Sequence, residues 1–276
     1  MTVKMTRVWD ATTEFLNERA SAVFAVAAGM IFAPALVSGV LERSVAPNTP
    51  GMAAVQLIGI VLSLVTAAGA LAITALAIRP IRAGEAAGIG ARRLLPFLGV
   101  SIAVLAVVFV AVIPVVAILI AGGVDLEALA AGSIAAPGMG TGMTFALLGY
   151  MLVAFAVAIW VSARLVVLLP VIVAERRGLG AIGRAWHLTR GHALKIVGLL
   201  LLYGIVAAVL SGGIGAAVGA IGTLLGAGQP GLSVGAALVA VVLAVISTML
   251  SVVQSAFTGK LYTALAPAGD LEDIFA

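Results

Sequence analysis

Six long apolar runs decide what this chain can fold into. They lie near residues 21–41, 52–78, 97–121, 143–169, 194–211 and 233–258. Each is close to the roughly 20 residues that a helix needs to cross about 30 Å of hydrocarbon. In lipid the backbone must satisfy its own hydrogen bonds, which leaves helices or a closed barrel. Barrel strands would alternate apolar and polar residues, and these runs do not. The expected fold is therefore all-α and integral to the membrane, with six transmembrane helices. Composition removes the water-soluble alternative. Hydrophobic residues make up 63% and charged residues 9%, with mean hydropathy +1.27, whereas a soluble domain is about half apolar and about a quarter charged.

Cysteine is absent, so no disulfide, thiol nucleophile or thiolate metal site is available. The first stretch mixes acids and bases and lacks a short apolar core with a cleavage site. No removable signal peptide is expected, and the first apolar run should act as an anchor.

Basic residues give the orientation. Lys4, Arg7 and Arg19 precede the first run, and Arg79, Arg82, Arg92 and Arg93 lie between the second and third. Arg164, Arg176, Arg177, Arg184, Arg190 and Lys195 surround the link between the fourth and fifth, and Lys260 ends the sixth. Only Arg43 falls on the other side. The positive-inside rule then places both termini in the cytoplasm, as for a multi-pass protein of a bacterial inner membrane. The pI of about 10.0 thus reads as topology and contact with anionic lipid headgroups, not as nucleic-acid binding.

Two phrases repeat at an offset of ninety residues: "PIRAGEAAGIGA" from Pro80 and "PVIVAERRGLGA" from Pro170. "GGV" at 122–124 matches "GGI" at 212–214, Gly132 matches Gly222, and Pro114 aligns with Gly204. A third, truncated copy carries Pro267 and Glu272. The expected organisation is one membrane domain over 1–276, in three units of approximately 1–91, 92–181 and 182–276. Two spans per unit make the copies parallel, related by an axis along the membrane normal.

The phrase has the chemistry of a corner. Pro80 and Pro170 should end or kink a span, and Gly178 and Gly180 should free the backbone for a change of direction. Glu85 and Glu175 should sit near the start of the next helix, at the positive end of its dipole. The following "LGAIGRAWHLTRGHALK" is amphipathic, with Leu179, Ile182, Ala185, Trp186 and Thr189 broadly on one face and Arg177, Arg184, His187 and Gly191 on another. Such a helix is expected to lie flat in the cytoplasmic headgroup layer. "IGARRLLPFL" at 89–98 reads as a shorter version, and 3–20, with Trp9, as an N-terminal one.

The run Arg164-x5-Pro170-x4-Glu175-x2-Gly178, followed by "RAWHLTRG" at 184–191 and a new span, resembles the glycerophosphoryl diester phosphodiesterase membrane-domain family. There a segment similar to S-W-x-L-T-x-G precedes a transmembrane helix; Ala185 stands here where the family commonly has Ser. The specific resemblance covers about 164–203. It implies a multi-span bacterial or archaeal membrane protein. Some members are fused to a soluble phosphodiesterase domain and many stand alone, and this chain is expected to be a stand-alone member.

No catalytic constellation is expected, and no cofactor or metal. The two histidines, His187 and His192, are five residues apart, about 140° around a regular helix, which would not chelate one ion. HExxH, GxSxG and Walker patterns are absent. The residues suited to lipid headgroups or a structural ion pair are Arg164, Glu175, Arg177, Arg184, His187, Arg190 and Lys195. Arg164 is expected to meet Glu175 across the corner, since ~16 Å of straight helix would otherwise separate them. "GAAVG" at 215–219 and "GTLLG" at 222–226 permit close helix packing, within the bundle or with a second copy or another membrane protein. The outer segments 122–142 and 212–232 are Gly-rich and short, and the second could form a short re-entrant helix. Two functions follow: a non-catalytic module binding lipid or a partner protein, or a transporter of a small lipid-derived solute. The second resembles mitochondrial carriers in architecture alone, without their Px[DE]xx[KR] signature. A polar bundle centre would favour transport, and a packed one the module.

The absence of cysteine makes the topology directly testable. Single cysteines replacing Arg92, Arg184 or Lys260 should react with a membrane-impermeant maleimide only from the cytoplasmic side, and one replacing Glu127 only from outside. Labelling at positions 92 and 184 from opposite faces would exclude the parallel arrangement.

Overall fold

The computed structural model describes residues 5–45, 49–124, 140–175, 178–226 and 233–266. All regular structure among them is helical. Helix α1 is Met5–Glu18. The first span, Ala20–Ser44, comprises α2 (Ala20–Ala27), a π-helical turn (Ala28–Phe32) and α3 (Ala33–Ser44). Then come α4 (Pro50–Ile78), α5 (Ala83–Ala121), α6 (Thr141–Leu165), α7 (Leu168–Ala174) and α8 (Gly180–Leu188). The fifth span is α9 (Ala193–Ala208), a π-helical turn (Val209–Ile214) and α10 (Gly215–Leu224); the sixth is α11 (Val234–Leu265). Among the described residues 6 helical stretches are long and apolar enough to cross a membrane, as the sequence predicts.

Local chemistry explains the irregular turns. Pro34 lacks an N–H and its ring crowds the carbonyl four residues back, at Met30; the π-helical turn Ala28–Phe32 absorbs the conflict there. Pro170 does the same to Val166. The helix breaks at Val166–Val167, and Pro170 continues, buried, inside α7. Pro80 behaves otherwise. It is exposed in the linker between Ile78 and Ala83. The two prolines of the repeated phrase therefore build different corners.

Other expectations need correction. The third span begins at Ala83, not near 97, so 89–98 is no separate interfacial helix. Its 39 residues rise ~58 Å, so the end carrying Glu85, Arg92 and Arg93 extends past a hydrocarbon layer of about 30 Å. Glu85 does sit in the first turn of that helix. Glu175 does not start a helix; it caps the C-terminal end of α7. Gly178 and Gly180 do not adopt positive φ, and the left-handed residue of this region is Gly191, at φ 82°. The fifth span continues to Leu224, so of the two alternatives for this stretch it is packing within the bundle, not a re-entrant helix, that occurs. Its Gly222 is buried, and a Cβ on Gly215 would stand 3.5 Å from Leu243 of α11, so these glycines serve packing on the sixth span. Arg176, Arg177, Gly132, Glu127, Pro267 and Glu272 lie outside the described residues.

The second half of α4 is the centre of the protein. From Ala68 to Ile78 every residue except Ala70 is buried, on all sides of the helix. The first span, α5, α7 and α11 surround it. Three glycines let them come close. A Cβ on Gly69 would stand 2.9 Å from Met30 and Ile31 of the first span, and one on Gly259 of α11 would stand 2.7 Å from Ala77. One on Gly90 of α5 would run into the Ala68 carbonyl oxygen. This centre is apolar and packed. Its Thr74 hydroxyl donates to the Ala70 carbonyl of its own helix, which removes the polar group from play.

The basic end is tied by contacts distant in sequence. Arg19, at the bend between α1 and α2, donates to the Ile81 carbonyl at 2.8 Å. Helix α1 buries Val8, Thr12 and Phe15 and lies against α11, with Trp9 6.3 Å from Phe257 and the Lys260 ammonium 5.1 Å from the Phe15 ring. Its apolar face therefore meets protein. Away from this end, residues 105–113 of α5 and 208–214 of the fifth span are exposed on every side. The Tyr150 hydroxyl bonds the Ala111 carbonyl, and the Tyr203 hydroxyl the Leu250 carbonyl.

Gly90→Ala should lower thermal stability in detergent by about 1–3 kcal/mol, the range for overpacking. Gly88→Ala, exposed with nothing within 4 Å of the added carbon, should be neutral or stabilising by ~0.5–1 kcal/mol through helix propensity. Thermal unfolding of both variants tests the close approach of α5 to α4.

Candidate functional site

Helices α6, α7, α8 and α11 converge at the basic end and carry most of the residues singled out from sequence. Helix α8 packs by small residues. Ala181, Ala185 and Thr189 are buried, spaced by fours along one face, with exposed His187 on the side away from them. The Thr189 hydroxyl caps this helix by bonding the Ala185 carbonyl at 3.0 Å. It also lies 3.2 Å from the Arg164 carbonyl, one of the last carbonyls of α6, which have no partner within that helix. Gly191 then reverses the chain into α9. Trp, Thr and Gly of "RAWHLTRG" thus have distinct structural tasks, and buried Ala185 fills its place without a hydroxyl.

Arg164 and Glu175 do not pair, contrary to expectation. Glu175 Oε1 accepts from Arg184 Nε at 3.0 Å and from the Tyr262 hydroxyl at 3.1 Å. The Glu175 side chain is 10% exposed and that of Arg184 23%, while Tyr262 is fully buried. The carboxylate sits at the negative end of the α7 dipole, where it is disfavoured. A guanidinium and a phenol, both hydrogen-bonded to it, offset that. The corner is thereby joined to the sixth span.

The Arg164 guanidinium instead lies on two indoles. Its Cζ is 5.2 Å from the Trp160 ring and 5.4 Å from the Trp186 ring. The two rings meet edge to face at 5.0 Å. Trp160 stands one turn before Arg164 on α6, the spacing at which helix side chains touch, and Trp186 comes from α8. Desolvated cation–π contacts of this kind contribute about 2 kcal/mol. Arg164 Nε and Nη1 are buried and have no hydrogen-bond partner. A cation stacked in this way holds its position yet keeps N–H donors for an acceptor that the described residues do not supply.

Of the remaining residues, Arg190 and Lys195 are exposed near the start of α9, and His187 is exposed on the last turn of α8. His192 caps α9, its Nδ1 buried without a partner. The two histidines lie in different helices with the Gly191 turn between them, so the angle expected from one regular helix does not apply. Among the described residues no group of three or more His, Asp or Glu could hold a metal ion. Sequence reasoning missed Trp160 and Tyr262. The i, i+4 spacing of Trp160 to Arg164 was a usable signal; nothing local marks Tyr262, 87 residues from its partner.

A double-mutant cycle on thermal stability with Arg184→Ala and Glu175→Ala should give a coupling of about 0.5–3 kcal/mol. Arg184→Ala alone should cost more than the double change, because it removes the guanidinium hydrogen-bonded to a largely buried carboxylate. Strict additivity would exclude the pair as a structural tie.

Residues 139–273 match the family model for the membrane domain of glycerophosphoryl diester phosphodiesterase. No curated protein and no solved structure matches the chain. The match takes in the α6–α8 corner, the "RAWHLTRG" segment and the sixth span. Over this segment, just under half of its length, the chain is similar to the membrane domain of glycerophosphoryl diester phosphodiesterase.

Proposed function

We propose that this multi-pass membrane protein is a non-catalytic module of a bacterial inner membrane. In this reading both termini are cytoplasmic, and the basic end binds anionic lipid headgroups in the service of envelope or lipid homeostasis. One observation carries the reading: the Arg164 guanidinium, clamped by Trp160 and Trp186, has buried N–H groups without an acceptor among the described residues. A phosphate oxygen is the acceptor that a guanidinium takes best. The surrounding charge supports it, since exposed Arg190 and Lys195 share this end, and each basic residue near an anionic surface contributes about 1 kcal/mol. Indoles at the headgroup level are also where aromatic rings sit best.

The matched family model describes a membrane domain and not a catalytic one, which fits a non-enzymatic role. The packed apolar half of α4, from Ala68 to Ile78, offers a solute no polar path there, which weighs against the transporter reading.

Native mass spectrometry after reconstitution with phosphatidylglycerol tests the proposal. Arg164→Gln should reduce retained phosphatidylglycerol several-fold, with Arg164→Lys intermediate. Equal retention by all three proteins would refute it. Purified protein should not hydrolyse glycerophosphodiesters with Mg²⁺, Mn²⁺, Ca²⁺ or Zn²⁺ added. Robust turnover that disappears in His187→Ala would overturn the non-catalytic reading.

A further inference from the structure

At the end of the bundle away from the basic corners, α3 and α4 line an open groove of about 890 Å³. Its lining includes Ser38, Glu42, Gln56, Gly59, Ser63 and Thr66. Such a set is unusual on helices that cross lipid, where unsatisfied polar groups are costly. The Ser63 and Thr66 hydroxyls donate to their own helix, at the Ile60 and Leu62 carbonyls. Ser38, Glu42 and Gln56 make no hydrogen bond or ion pair with any described residue. Arg43, next in sequence to Glu42, does not line the groove; its guanidinium folds back onto the Gly39 carbonyl at 2.6 Å. Among the described residues the groove therefore has a carboxylate at its mouth that no cation pairs, and a hydroxyl and an amide beneath it.

We propose that this groove is a binding site for a phospholipid with a primary-amine headgroup, taken from the leaflet opposite the basic end. Depth along the helices orders the contacts. Glu42 lies within the last turn of α3, at headgroup level, and its carboxylate receives the ammonium. Gln56 lies ~9 Å below the start of α4, with Ser38 on the facing helix. Their amide and hydroxyl hydrogens meet the phosphate or ester oxygens. Gly59, with nothing within 4 Å of its missing Cβ, leaves a flat surface for an acyl chain. The flanks of α4 at Leu57, Ile60 and Val61 are exposed and apolar, so the ligand reaches the groove sideways from the bilayer. A primary ammonium can donate hydrogen bonds to the carboxylate, whereas a quaternary one cannot, and that sets the preference for phosphatidylethanolamine over phosphatidylcholine.

The experiment uses the full chain in vesicles of phosphatidylglycerol mixed with either phosphatidylethanolamine or phosphatidylcholine, followed by gentle extraction and native mass spectrometry. The protein should retain phosphatidylethanolamine several-fold over phosphatidylcholine. Glu42→Gln and Gln56→Leu, both at exposed positions, should each remove that preference and leave phosphatidylglycerol retention unchanged. Arg164→Gln should do the reverse, so that the two sites fail separately. Equal retention of both lipids by the unaltered chain, or an undiminished preference in both groove variants, would overturn the proposal. Displacement of bound lipid by water-soluble phosphoethanolamine as readily as by the phospholipid would also overturn it, because the headgroup alone would then be the ligand.

Discussion

The close approach of neighbouring helices to the second half of α4 is the constraint on which the rest of the protein depends. In lipid, apolar side chains gain little by turning from acyl chains to one another, so helix association rests on dispersion contact at short range. Gly69, Gly90 and Gly259 provide that range. The first removes a side chain from α4 itself, and the others remove one from α5 and α11 where these face it. The buried block from Leu71 to Ile78 results, and α1, α7 and α8 have a firm surface on which to assemble. Beyond this block the packing loosens, and the side chains along residues 105–113 of α5 and 208–214 of the fifth span are largely exposed.

The basic end handles its charges in two ways. Glu175 is paired with Arg184 across the corner and accepts a hydrogen bond from the Tyr262 hydroxyl of the sixth span. Arg164 is stabilised by the faces of two indoles and keeps donors without acceptors. The first arrangement ties α8 and the sixth span to the C-terminal end of α7. The second is incomplete within the described residues, and the proposed headgroup contact rests on that. The opposite end holds a groove of the other sign, with Glu42 at its mouth. One membrane protein thus presents a guanidinium toward one leaflet and a carboxylate toward the other.

Sequence alone determined the class, the number of spans and which end carries the positive charge. Hydropathy and the hydrogen-bonding demands of a backbone in lipid leave little choice, and both are summed over twenty residues or more. It also determined the segment that carries the family resemblance, because Trp186, Thr189 and Gly191 lie within a few residues and leave a local signature. The i, i+4 stacking of Trp160 on Arg164 was equally legible by spacing. Tertiary structure alone decided the rest. Pro80 and Pro170 occur in the same phrase, yet one lies in a linker and the other inside a helix, because a proline only disfavours a helix and the packing around it selects the outcome. Glu175 had Arg164 and Arg184 at comparable distances along the chain. Its partner was settled by where α8 folds back and by Tyr262, which lies 87 residues away. Hydropathy records how much of a helix is apolar but not which neighbour it faces, and a side chain's partner is set by that neighbour.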